Sequence, residues 1–131
     1  MDPKSAYLKG QIETSSPAQQ VVMLYDGLIR FCNEAKNHLS GEDGDQLEAG
    51  ARAVKRATDI LTELNSTLKH EVFPELCTQL SNLYLFFTEQ LSKSVRENSA
   101  KPIQDILPMI ENLRDSWQKA EDQFQATNKG E

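Results

Sequence analysis

The stretch from Ser16 to Leu39 constrains the fold most, because it has the marks of a helix that is apolar around half of its circumference. Ser16 suits an N-cap and Pro17 suits the first helical position. The apolar side chains of the stretch span an arc of about 180°, whereas one core-facing stripe needs only about 100° or slightly more. Such a helix either packs between two neighbours in its own bundle or offers part of the arc to another protein's amphipathic segment.

Three further segments have helical periodicity and are joined by short polar connections. Along the second and fourth segments the apolar residues recur at alternating steps of three and four, which is typical of a helix in a bundle. No stretch alternates with the period of a strand. We therefore predict an all-α fold, an antiparallel up-down-up-down four-helix bundle over 16–126, with helices at about 16–39, 45–69, 74–97 and 102–126.

Both ends of the chain are expected to lie outside the bundle. Residues 1–15 have no sustained periodicity and predict a flexible N-terminal arm, although Tyr7 and Ile12 give it apolar character. Residues 127–131 predict a frayed, polar C-terminal end. In the third helix, Leu85 and Phe86 fall off the main apolar face and add apolar surface beyond what the bundle needs.

Two residues interrupt the helical patterns. Glycine within a helix costs about 1 kcal/mol relative to alanine. Gly27 therefore indicates either a close crossing of another helix or a groove kept open beside Tyr25 and Asp26. Pro108 removes one backbone hydrogen bond and clashes with the carbonyl of Gln104, so it is expected to kink the fourth helix or to separate a short first piece.

Charge and hydropathy exclude two classes of function. The net charge of −6 argues against nucleic-acid binding, because phosphate contacts require a basic face. The nearest basic cluster, Arg52, Lys55 and Arg56, predicts a solvated face of one helix. The first ten residues lack the apolar region of a signal peptide, and no run approaches the ~18 apolar residues of a membrane span. We therefore predict a cytoplasmic protein without membrane insertion.

Side chains capable of chemistry are few and scattered. Cys32 and Cys77 lie on apolar helix faces and lack metal-binding spacing. His38 and His70 stand alone at helix ends. No glycine-rich phosphate loop is present. We predict no catalytic residue, no metal and no cofactor, and thus not an enzyme.

Several motifs, in order and spacing, resemble the FliS family of flagellar export chaperones. The resemblance runs from Ala6 to about Ala120. Its most specific parts are a Leu-Tyr-Asp-Gly motif in the first helix and a distant Leu-Arg-Asp-x-Trp motif in the fourth. The residues that carry it are Ala6–Tyr7, Ile12, Ser16–Pro17, Met23–Gly27, Ile29–Phe31, Ala35, Leu83–Tyr84 and Leu113–Trp117.

The resemblance implies a cytoplasmic chaperone that binds the C-terminal segment of flagellin. It would prevent premature polymerisation and assist delivery to the flagellar type III export apparatus, with export-gate components as further partners. The N-terminal arm would cover apolar surface until flagellin displaces it. The residues expected to contact flagellin are Tyr7, Ile12, Val22, Tyr25, Asp26, Ile29, Leu85 and Phe86.

Two other functions remain compatible with a four-helix bundle. A structural or adaptor bundle would assemble with copies of itself through the same apolar faces. A histidine phosphotransfer domain is the second alternative, but neither His38 nor His70 is followed by the Lys-Gly pair that this family places three and four residues later.

Overall fold

The computed structural model describes residues 17–40 and 46–129, and they form four α-helices. No strand occurs in these two ranges, so the predicted all-α class is confirmed. The helices are α1 (Pro17–His38), α2 (Leu47–Ser66), α3 (Pro74–Glu97) and α4 (Lys101–Lys129).

Several features expected from the sequence lie outside the described residues. These are the expected N-terminal arm with Tyr7 and Ile12, the Ser16 cap and the last two residues of the chain.

The helices form a closed ring in chain order, since α1 and α3 each pack against both α2 and α4. α1 and α2 run antiparallel, because Gly27 lies beside Ile60 whereas Gly50 lies beside Leu39. α1 packs against its two neighbours more extensively than α3 does. The broad apolar arc of α1 therefore packs against two neighbouring helices. This agrees with the interpretation that α1 lies between two neighbours in its own bundle.

One core runs through the bundle and receives side chains from all four helices. Apolar burial of this kind contributes about 25 cal/mol per Å² removed from water. The apolar faces that the helices bury against one another therefore account for most of the driving force for folding. The largest apolar side chains that are fully enclosed are Tyr25, Leu28, Leu39, Leu64, Phe87, Leu91, Ile103, Ile106 and Ile110.

Two glycines permit the close approach of α1 and α2. A Cβ atom on Gly27 would lie 3.1 Å from Cδ1 of Ile60, which is tighter than most real contacts. A Cβ atom on Gly50 would lie only 2.5 Å from Cδ2 of Leu39. The interpretation of Gly27 as the site of a close helix crossing is confirmed.

The connections between helices explain where the helices end. α2 ends at Ser66, three residues before the expected end, and tight turns follow in which Thr67 N–H donates to Leu64 O at 3.1 Å. Pro74 then stands at the start of α3, where its missing N–H would have had no helical partner. Asn98 ends α3 in the left-handed conformation, with φ of 44°, which asparagine tolerates better than most residues.

Pro108 lies inside α4, which continues without interruption from Lys101 to Lys129. The alternative that Pro108 separates a short first piece from the rest is therefore wrong. Pro108 and Gln104 are both exposed, so water can satisfy the Gln104 carbonyl that loses its amide donor.

Leu76 and Phe124 depart from the bundle pattern. The spacing of the apolar residues places both on the apolar faces of their helices, yet each side chain is about half exposed. Both lie toward the same end of the bundle, near the start of α3 and the end of α4. Within the part of the chain that the structure describes, no helix has the length and apolar character needed to cross a membrane.

Candidate functional site

A large apolar groove opens at the end of the bundle where α1 and α3 begin and α2 ends. We call it the end groove; its volume is about 870 Å³. Three-quarters of its lining side chains are apolar, with polar groups from Gln20, Glu63, Thr67 and Lys69. Its apolar lining consists of Pro17, Ala18, Val21, Met23, Leu24, Leu68, Phe73, Leu76, Cys77, Leu80, Tyr84 and Trp117.

The end groove forms because the α2–α3 connection leaves apolar side chains without a covering helix. α2 ends at Ser66 and α3 begins only at Pro74, so Phe73 and Leu76 are placed at the groove with large exposed areas. Val72, in the same connection, is also exposed. Soluble monomers rarely expose contiguous apolar surface unless it contacts a partner, so this end of the bundle is the first candidate for a binding site.

A buried pair of tyrosines lies behind the end groove. The hydroxyl oxygens of Tyr25 and Tyr84 are 2.6 Å apart, and their rings are tilted by 57° with centroids 6.5 Å apart. Trp117 lies near the Tyr25 hydroxyl and partly opposes the rise in the pKa of Tyr25. Burial raises the pKa of both tyrosines, so both are neutral at physiological pH. Tyr84 and Trp117 line the groove, whereas Tyr25 holds them from behind.

An ion pair next to this aromatic group joins α1 to α4. Nε of Arg114 donates to Oδ1 of Asp26 at 2.8 Å, and a second carboxylate, that of Asp115, lies 3.5 Å from Nη1 of Arg114. Arg114 lies about one helical turn from Trp117, so the pair positions the part of α4 that carries the tryptophan. The two sequence motifs that carry the resemblance therefore meet at one place in the fold.

A second, smaller groove of about 300 Å³ lies between α2 and α3, and we call it the side groove. Leu85 projects at its edge, and Ser81 Oγ donates to Asn65 Oδ1 at 2.8 Å across it. Thr62 and Thr88 add hydroxyl groups to its lining. The side groove is therefore more polar than the end groove.

The structure places the expected contact residues of α1 in different surroundings. Val22 is 1% exposed and Tyr25 is fully buried, so neither presents a surface to a partner in this conformation. Ile29 is half-buried and packs against the core. Asp26 is exposed and engaged by Arg114. Their assignment to a partner contact stays a prediction.

The expected contact residues outside α1 also do not gather in the end groove. Leu85 and Phe86 are 58% and 40% exposed on α3, away from that groove. Tyr7 and Ile12 lie outside the described residues. The expected set is thus divided between the core, the outer face of α3 and the N-terminal segment.

Sequence reasoning missed most of the residues that line the end groove. Leu76 and Trp117 lie on the apolar faces of their helices, and this position predicts core packing. The periodicity gives no sign that the bundle opens near these two residues. Phe73 could have indicated this exposed apolar surface. It is a large apolar residue directly before Pro74, in a helix connection where burial is rarely complete. Leu24 belongs to the apolar arc of α1, so that arc contributes to the groove as well as to the core.

No group of three or more His, Cys, Asp or Glu residues gathers in a way that could hold a metal ion within residues 17–40 and 46–129. Burial raises the pKa of the Cys32 thiol to about 12, so this cysteine is a packing residue rather than a nucleophile.

Comparison with known proteins agrees with the motifs. The family described as "Flagellar protein FliS" matches residues 1–124. A flagellar secretion chaperone FliS from Campylobacter jejuni is 34% identical over 88% of this chain and 88% of its own length. The FliS chaperone from Bacillus subtilis is 24% identical over 91% of this chain and 86% of its length. That from Salmonella typhimurium is 27% identical over 86% of this chain and 82% of its length. The chain therefore belongs to the FliS family of flagellar secretion chaperones.

Proposed function

We propose that this chain is a cytoplasmic chaperone that holds the C-terminal segment of flagellin in the end groove. Bound in this way, flagellin would be kept from premature polymerisation and delivered to the flagellar type III export apparatus, where components of the export gate are further partners. The chaperone acts by binding alone, without catalysis, metal or cofactor.

The observation that carries this proposal is the size and chemistry of the end groove. Its volume of about 870 Å³ is at the upper end of ordinary ligand sites, and its lining is apolar over most of its extent. An amphipathic helix binds to such a surface by laying its apolar side chains, spaced three and four residues apart, along the groove. The half-exposed Phe73 and Leu76 and the indole of Trp117 supply the large side chains that dominate such interfaces.

The N-terminal arm has a place in this proposal. Pro17, the first described residue after the arm, lines the end groove. Tyr7 and Ile12 would compete with flagellin for the same apolar surface. The expected contact residues of α1 would act near the client mainly by stabilising the shape of the groove. They are Val22, Tyr25, Asp26 and Ile29.

The direct experiment mixes the purified chain with monomeric flagellin and follows complex formation and filament growth. We expect one-to-one co-elution on a sizing column and suppressed polymerisation at equimolar chaperone. Flagellin that lacks its C-terminal segment is the control for binding and should not co-elute with the chain. Unchanged polymerisation together with separate elution would contradict the proposal.

One observation favours a second candidate function, which is self-association as an adaptor. Leu85 and Phe86 present adjacent apolar side chains outside the end groove. Sedimentation analysis of the wild type and of Leu85→Ala/Phe86→Ala distinguishes the two roles. If the wild type is a dimer that the double substitution dissociates, self-association is supported. If the wild type is a monomer and the double substitution lowers its affinity for flagellin, both residues belong to the client surface.

A further inference from the structure

Two arginines from different helices approach one aromatic ring on the face formed by α1 and α2. Cζ of Arg30 lies 4.7 Å from the ring centroid of Phe31, and Cζ of Arg56 lies 5.6 Å from the same centroid. Both arginines are exposed, whereas Phe31 is half-buried and packs against the core. We call these three residues the arginine patch.

The arginine patch differs from the other basic residues of the same face. Arg52 pairs with Glu48 at 3.3 Å and Lys55 pairs with Asp59 at 2.6 Å, each one turn apart along α2. These two pairs agree with the solvated face expected from the sequence. Among the residues that the structure describes, neither arginine of the patch forms an ion pair, although Glu34 lies one turn along α1.

A negative charge from outside the chain would complete this arrangement. Two guanidinium groups beside one ring repel each other. Each exposed cation–π contact contributes only about 0.5–1 kcal/mol of stabilising free energy. The chain has 20 acidic residues against 14 basic ones, yet no described carboxylate forms an ion pair with either arginine of the patch. A carboxylate from outside would reach both guanidinium groups and form charge-assisted hydrogen bonds.

We propose that the arginine patch is a docking site for an acidic helical segment of a second protein. Glutamate side chains one turn apart on that segment would bind Arg30 and Arg56, and an apolar side chain between them would contact the exposed part of the Phe31 ring. Arginine and aromatic residues are the types enriched at protein interfaces. None of the three lines the end groove, so a client and this second partner can be bound together.

The test is an NMR titration of the full chain with a synthetic helical peptide that carries glutamate at positions i and i+4. A peptide with glutamine at both positions is the matched probe. We expect saturable shifts of the Arg30 and Arg56 Nε–H signals with the glutamate peptide and at least about fivefold weaker binding by Arg30→Ala/Arg56→Ala. Arg52→Ala, which removes an arginine already paired on the same helix, should leave the affinity within about twofold.

Three results would overturn the docking site. They are equal binding of the glutamine peptide, an equal loss with Arg52→Ala, and a preference of the patch for single-stranded RNA over the acidic peptide. Titration of Arg30→Ala/Arg56→Ala with the flagellin C-terminal peptide separates this inference from the proposed function, because client affinity should be unchanged. Since both arginines are exposed and lose only weak cation–π contacts, thermal unfolding of the double variant should differ only slightly from that of the wild type.

Discussion

Arg114 of α4 donates a 2.8 Å hydrogen bond to Asp26 of α1, joining residues that are 88 positions apart in the chain. Next to it, Trp117 of α4 lies near the hydroxyl of Tyr25 of α1 and partly opposes the rise in the pKa of that tyrosine. The Leu-Tyr-Asp-Gly and Leu-Arg-Asp-x-Trp motifs therefore act as one structural unit that borders the end groove. The motifs are far apart in sequence because they lie on the first and last helices, which pack against each other.

The Asp26–Arg114 ion pair should contribute little to stability, because the two side chains are 52% and 30% exposed and water screens their attraction. A double-mutant cycle with Asp26→Asn and Arg114→Gln, followed by urea unfolding, should give a coupling energy below about 1 kcal/mol. The coupling should decrease further in high salt. A coupling of several kcal/mol that salt does not change would contradict this description.

Tyr25→Phe should destabilise the bundle while leaving the client site intact. It removes one hydroxyl of the buried Tyr25–Tyr84 hydrogen bond and leaves the other without this partner, which costs about 1–3 kcal/mol. Tyr25→Phe/Tyr84→Phe should cost less than the sum of the single changes, because it removes both partners. Urea unfolding measures the loss, and flagellin affinity per folded molecule should not change. Unchanged stability with lost affinity would instead place Tyr25 on the client surface.

Stability should fall at alkaline pH because of the same two tyrosines. Burial raises their pKa above 10.0, so the folded protein keeps phenolic protons that the unfolded chain releases. Their stabilising effect is complete below pH 10 and is lost as pH rises above it, by up to about 1.4 kcal/mol per pH unit for each tyrosine. Urea midpoints between about pH 8 and pH 11 measure this dependence. Tyr25→Phe should show a shallower decline, and a decline equal to that of the wild type would refute the assignment.

Leu76→Ala should weaken client binding without destabilising the fold. Leu76 lines the end groove and is about half exposed, so its truncation removes client contact rather than core packing. We expect a loss of about 1–3 kcal/mol in binding free energy, as for other interface anchors. Met109→Ala is the matched control, since Met109 is an exposed apolar residue of α4 outside the groove. Equal effects of both substitutions would remove Leu76 from the client site.

The fold could be predicted from the sequence because helix periodicity reports directly on which side chains share a face. The range expected for the third helix, 74–97, has the same bounds as α3, since Pro74 and Asn98 provide strong local signals at its ends. One of the two effects expected of Pro108, the separation of a short first piece, is wrong because the local cost of proline is tolerated on an exposed helix face.

The site was harder to predict, because periodicity does not report where neighbouring helices diverge. Trp117 and Leu76 have the spacing of core-facing residues. They nevertheless line a groove, because α2 ends before it can cover them. Tyr25 and Val22 belong to the same apolar arc as Leu24, but only the packing of α2 and α4 decides which of them is buried. The resemblance identified the family without distinguishing residues that contact a client from residues that shape its groove.

Isothermal titration of the chain with the last roughly 40 residues of flagellin from the same organism, enough for several helical turns, tests the central claim most directly. We predict saturable one-to-one binding with a clearly negative heat-capacity change, because the end groove buries apolar surface. Leu76→Ala should reduce both the affinity and the size of that change. Absence of binding, or binding that Leu76→Ala leaves unaltered, would contradict the assignment of the end groove to flagellin.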